Sequence, residues 1–214
     1  EYAIDCAAAL GSDCVSLWSG VLHEPIEYGK ALHQLAEGLA ELLDYADQRG
    51  VVLGFEPEPG MLVDSMARFE QLLGMIEAQR LRLTLDVGHL HCQGETPISQ
   101  YVHFWASRLV NVHIEDMRAG VHEHLMFGEG EIEFPPVFEA LRQIGYRGGV
   151  FVELSRHGHQ GPEAARRAYA AVAAPWRGAL TMVPGCGHAL CQQAPAAFAI
   201  GTIAGLVVGM WLAL

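Results

Sequence analysis

Five short apolar runs separated by amphipathic stretches constrain this chain more than any other feature. The runs are Cys14–Trp18, Val51–Glu56, Leu83–Asp86, Leu109–Ile114 and Val150–Glu153. Each is too short for a helix and mostly apolar, the pattern of a strand buried on both faces. The stretches between them read as helices. Pro25–Arg49 carries Leu32, Leu35, Leu39, Leu42 and Leu43 at helical spacing and stops at Gly50. Ser65–Ala78 begins on an N-cap residue, and Thr96-Pro97 opens Ile98–Ser107 with a cap followed by proline. Phe134–Ile144 and Pro162–Ala173 complete the alternation, which predicts an α/β fold with a parallel sheet.

Ionisable residues gather at one end of these runs. Glu56, Asp86, His113 and Glu153 each lie at or near a C-terminal strand end. In a parallel α/β barrel that rim carries the chemistry. An unpaired carboxylate there would cost several kcal/mol to bury, roughly. One shared ion explains four such groups better than four separate accidents. Three oxygen ligands and an imidazole suit Mn²⁺, Mg²⁺ or Co²⁺, with Zn²⁺ also accommodated. Such an ion acidifies a C–H between a carbonyl and a hydroxyl, and two facing carboxylates, Glu56 and Glu153, can remove and return that proton.

Composition narrows the partners. The formal charge of −12 disfavours nucleic acid. Five irregularly spaced cysteines make no disulfide framework, which fits a reduced, cytoplasmic compartment. All 25 acidic residues precede Pro175, and Arg177 is the sole charged residue after it. We therefore divide the chain into residues 1–174, a linker over 175–194 and an apolar tail over 195–214. The tail is about long enough to cross a bilayer core, and Gly201, Gly205 and Gly209 share one helical face. A membrane span anchoring the domain on the cytoplasmic side is expected, with a buried soluble helix or foreign sequence as the alternative. Gly185-Cys186-Gly187-His188 and Cys191 fit no standard zinc finger and read as a small-residue loop.

Gly54-Phe55-Glu56-Pro57, Asp86-Val87-Gly88-His89, His113-Ile114-Glu115-Asp116, Gly128-Glu129-Gly130 and the late Glu153 occur in that order. Together they resemble the xylose-isomerase-like superfamily of sugar-phosphate isomerases and epimerases, which also contains the endonuclease IV branch. The resemblance covers about Cys14 to Ala173. It implies an eight-stranded (β/α)8 TIM barrel with a divalent metal at its C-terminal mouth. It also implies that Glu56, Asp86, His113 and Glu153 bind the metal, with Glu56 and Glu153 as acid/base pair. His89 would contact substrate, as would Arg118 in a looser alignment beside Asp116. Trp18 would line a sugar pocket or simply pack.

Several positions keep two readings. Glu58 rivals Glu56 across Pro57, and Glu56 is favoured because it directly follows the apolar run. His113 is a ligand or a core histidine. His122 and His124 form a solvated loop, or supply an additional zinc as in the endonuclease branch. His157 and His159 bind an anionic substrate group or lie exposed, and nothing marks Cys92 as an activated thiolate.

The five runs match the family's strands four to eight, so strands one to three, about 90 residues at typical barrel dimensions, are expected upstream of Glu1. The endonuclease branch places a zinc-binding histidine where Trp18 and Ser19 stand here. The expected function is a metal-dependent isomerase or epimerase of a small sugar, keto-sugar or polyol, self-association being left open. The alternatives are an inosose or dehydroshikimate dehydratase, a zinc phosphodiesterase, or an inactive membrane-tethered barrel fragment.

Overall fold

The computed structural model describes residues 1–12, 14–22, 25–176 and 207–208, with the backbone alone over 173–176 and 207–208. Helix α1 (Tyr2–Leu10) ends at Gly11, whose φ of 68° is open to glycine without strain. It leads into β1 (Cys14–Leu17), α2 (Tyr28–Asp47), β2 (Val52–Phe55), α3 (Met66–Leu73), β3 (Leu81–Asp86), α4 (Val87–Cys92), α5 (Ile98–Phe104) and β4 (Leu109–Ile114). A hairpin follows, made of β5 (Asp116–Arg118) and β6 (Val121–Leu125). Then come α6 (Phe134–Gln143), β7 (Gly149–Glu153) and α7 (Gly161–Trp176).

β1, β2, β3, β4 and β7 pair in that order, and every one of these pairings is parallel. This is the expected α/β arrangement, as a five-strand half-barrel. A two-residue strand, β8 (Val207–Val208), runs antiparallel to the free edge of β7. The remainder of the predicted 195–214 span lies outside the described residues. Among the described residues no helix is long and apolar enough to cross a membrane.

The outer core forms between sheet and helices. Phe55 of β2 stacks on Phe69 of α3 with centroids 5.6 Å apart, and Phe69 meets Trp105 at 5.4 Å. Leu39, Leu43 and Ala46 bury one stripe of α2, the stripe its leucine spacing predicts.

The strands match the predicted runs to within about two residues, but helix ends and the second half of the motif region differ. α2 starts at Tyr28 because the Glu27 side chain accepts from the N–H groups of Gly29 and Lys30, both at 2.9 Å. α3 is not capped by the Ser65 side chain; the Glu95 carboxylate from a distant turn accepts the Met66 N–H at 3.0 Å. Likewise α5 starts after Pro97, with no side-chain cap from Thr96. The segment holding His122 and His124, read as a solvated loop in one of two readings, is strand β6 of the hairpin. Its partner β5 is only three residues long, too short to register as a periodic run.

Candidate metal centre

The parallel register brings four strand ends together. Asp86 closes β3 and is the register partner of His113 on β4. Glu56 follows β2 and extends its pairing, donating its N–H to the Leu17 carbonyl at 2.8 Å. Glu153 closes β7, the neighbour of β4. One donor atom from each of Glu56, Asp86, His113 and Glu153 lies within 4.8 Å of the others, a group that can hold a metal ion.

His113 is the hub. Its Nδ1 lies 2.9 Å from Glu56 Oε1 and 3.0 Å from Glu153 Oε2. Burial alone would disfavour its charged form, yet the two carboxylates raise its proton affinity well above that of a free imidazole. A single proton on Nδ1 serves two carboxylates poorly, whereas a divalent ion in its place would satisfy both. The opposite nitrogen, Nε2, lies 2.9 Å from Asn111 Nδ2.

Asp86 has two jobs at its two oxygens. Oδ1 accepts the His89 N–H at 2.7 Å and so caps α4. Oδ2 is buried and receives no backbone or amide donor. Its neighbour is Glu115, which is wholly buried. Burial first, then the Asp86 charge, push the Glu115 carboxyl well above the usual range, which favours its neutral form beside Asp86. Gly88 makes room for this pair, since a Cβ there would collide with Glu115. The donor set therefore fits a metal ion: it is oxygen-rich, closely spaced, and carries a ligand oxygen without a competing N–H.

A second layer lies beside it. His89 is buried, with Nδ1 donating to the Pro57 carbonyl at 3.2 Å. Its Nε2 faces His122 Nε2 at 3.2 Å and Glu58 Oε2 at 3.6 Å, while Glu58 Oε1 lies 3.3 Å from His122 Nε2. His89, His122 and His124 also present donor atoms within 4.8 Å of one another. Burial and the nearby carboxylates outweigh the attraction of His89 and push Glu58 up to about 7. Burial together with His89 and His124 pushes His122 down to about 4.

Other named residues stand apart. Trp18 is 54% exposed just beyond β1. Ser19 accepts the Val63 N–H at 2.9 Å. Arg118 is exposed and donates to the Glu129 carbonyl at 3.0 Å, outside the four-residue group. Asp116 is buried and accepts from the N–H groups of Met117, Gly128 and Ile132 at 3.0, 2.8 and 3.1 Å. Those bonds commit it to shaping the glycine loop. Asn111 and Glu115 were not singled out as site residues by the sequence reading. Their alternation with His113, on β4 for Asn111 and one residue past its end for Glu115, was the available signal.

The model of the xylose isomerase-like TIM barrel family matches residues 1–174. The chain belongs to this family. It is 29% identical over 140 residues to an inosose dehydratase of Lacticaseibacillus casei, covering 58% of this chain and 47% of that protein. It is 27% identical over 128 residues to an L-ribulose-5-phosphate 3-epimerase of Salmonella paratyphi A, covering 60% of this chain and 45% of the other. The chain thus spans about half the length of these curated relatives. Among solved structures, the IOLI protein described with a bound zinc atom superposes with a TM-score of 0.71 at 21% identity, covering 85% of this chain and 69% of that one.

Proposed function

We propose that this chain carries the metal-binding and proton-transferring part of an isomerase or epimerase of a small sugar, keto-sugar or polyol. The observation that carries this reading is the convergence of Glu56, Asp86, His113 and Glu153 within 4.8 Å. The similarity to a sugar-phosphate epimerase and an inosose dehydratase supports the substrate class. Glu56, Asp86, His113 and Glu153 would hold Mn²⁺, Mg²⁺, Co²⁺ or Zn²⁺. When bound, the ion lowers the pKa of a C–H beside a coordinated carbonyl.

The chain's own residues supply the rest. Glu56 and Glu153 approach the site from different strands and act as the acid/base pair, one removing the proton and the other returning it. Burial of Glu153 is offset by its bond to His113, which holds the carboxyl below its usual range and ready to accept a proton. His89, held by the Pro57 carbonyl through Nδ1, would contact substrate through an Nε2 that His122 and Glu58 flank. A dehydratase would use the same proton removal and then expel a hydroxyl from the neighbouring carbon.

The test uses the longest open reading frame containing this chain, loaded with metal and incubated in deuterated water with a panel of keto-sugars and inososes. Glu153→Gln should abolish solvent exchange at the substrate carbon while metal remains bound. Unchanged exchange removes the role given to Glu153. Water loss in place of inversion assigns the dehydratase. The convergence of His89, His122 and His124 favours a second reading, phosphodiester hydrolysis with an additional zinc. It predicts more than one zinc per chain and nicking of abasic DNA; one metal and intact DNA remove it.

A further inference from the structure

Asn111 is the polar side chain of β4 that the proposed mechanism leaves unused, and its surroundings are unusual. It is buried two residues before His113 on the same strand face. Its Nδ2 lies 2.9 Å from His113 Nε2, and its Oδ1 is buried without a hydrogen-bond partner among the described residues. A buried amide oxygen left without a donor costs free energy, so a carboxamide at this place calls for a reason.

The two ends of a carboxamide exchange places by a half-turn of its outer bond. With Nδ2 facing His113, Nε2 must be an acceptor and the ring proton sits on Nδ1, towards Glu56 and Glu153. With Oδ1 facing His113, Nε2 carries the proton and Nδ1 presents a lone pair to the four-donor group. In either orientation one end of the amide faces His113 Nε2. The position of the His113 proton therefore decides between them, and the amide serves both tautomers. Resting on the metal-centre reading, we propose that Asn111 is a positioning residue that turns its Oδ1 to His113 and holds the tautomer in which Nδ1 is free to bind the ion. A leucine of similar size would leave Nε2–H buried without an acceptor, and an aspartate would keep the acceptor.

The experiment titrates the full chain with Zn²⁺ against a chromophoric chelator, comparing it with Asn111→Leu and Asn111→Asp. Loss of such an outer partner weakens metal binding roughly 10- to 100-fold, so Leu should fall by that factor while Asp binds as tightly as the unsubstituted chain. Long-range ¹H–¹⁵N spectra of the zinc-loaded proteins supply a second readout. A slowly exchanging His113 Nε2–H is expected in the unsubstituted chain and the Asp variant, and lost in the Leu variant. Equal zinc affinity in the Leu variant, or equal losses in both variants, overturns the role of Asn111 alone. Failure of the unsubstituted chain to bind Zn²⁺ overturns the metal-centre reading and this inference with it.

Discussion

Glu58 and His122 face each other at 3.3 Å yet are pushed away from forming an ion pair. Burial, followed by the Glu56, Asp86 and Glu153 charges, raises Glu58 to about 7 against the pull of His89, while burial and two neighbouring histidines lower His122 to about 4. The two shifts act on stability with opposite signs. Glu58 binds its proton more tightly when folded, so its contribution is fully present below its unfolded value of 4.5 and is lost as pH rises through about 7. His122 contributes above its unfolded value of 6.5, and that contribution is lost as pH falls through about 4. Glu58→Gln isolates the first effect. With chelator present, the variant should melt at the same temperature as the parent at pH 4.5. At pH 7.5 it should be more stable by roughly 2 kcal/mol, allowing for the side chain's partial solvent access. Thermal melts at the two pH values check this; an equal difference at both means Glu58 titrates normally. The gathering of Glu56, Asp86, His113 and Glu153 was legible in the sequence because each lies at or near the end of an apolar run. The contacts of Glu115 with Asp86 and of Glu58 with His89 and His122 were not, because they join different elements, and Asn111 offered only its alternation with His113 as a signal.

The hairpin β5–β6 and the glycine loop after it form the element where local sequence said least. β5 begins on Asp116, whose carboxylate gathers three N–H donors, two of them from the loop that follows the hairpin. Gly130 packs against this carboxylate, where a Cβ would collide with Asp116, and Gly128 adopts a φ of 87°. Both glycines of Gly128-Glu129-Gly130 thus have physical causes, one steric and one conformational. The main strands could be read from composition, since burial on both faces demands continuous apolar residues. The hairpin could not, because its pairing partner, not its periodicity, makes it a strand. Asp116→Ala leaves three N–H donors unpaired, two of them only part-buried, and should cost about 3 kcal/mol, at the low end of roughly 1–3 kcal/mol for each. Hydrogen exchange locates the loss: the Gly128 and Ile132 amides should lose protection while those of β3 and β4 keep theirs. Uniform loss across the sheet would show that the carboxylate supports the whole fold and not this loop.

At the scale of the whole molecule, the five parallel strands leave β1 with a partner on one side only among the described residues. No residue of β1 is fully buried, and the segment just beyond it exposes Trp18, Val21 and Leu22 at 54%, 55% and 44%. An open strand edge flanked by apolar side chains pairs readily with other chains. A closed barrel has no such edge. The chain should therefore self-associate at micromolar concentrations, with a sedimentation coefficient that rises with loading. Val21→Lys with Leu22→Lys places two charges on side chains that are already substantially exposed, so folding should be little affected while association falls. The same edge should be silent when the chain is expressed within its longest open reading frame, if that frame supplies further strands to pair with β1. A coefficient independent of concentration, or association unchanged by the paired lysines, would mean that this edge is not what draws the chains together.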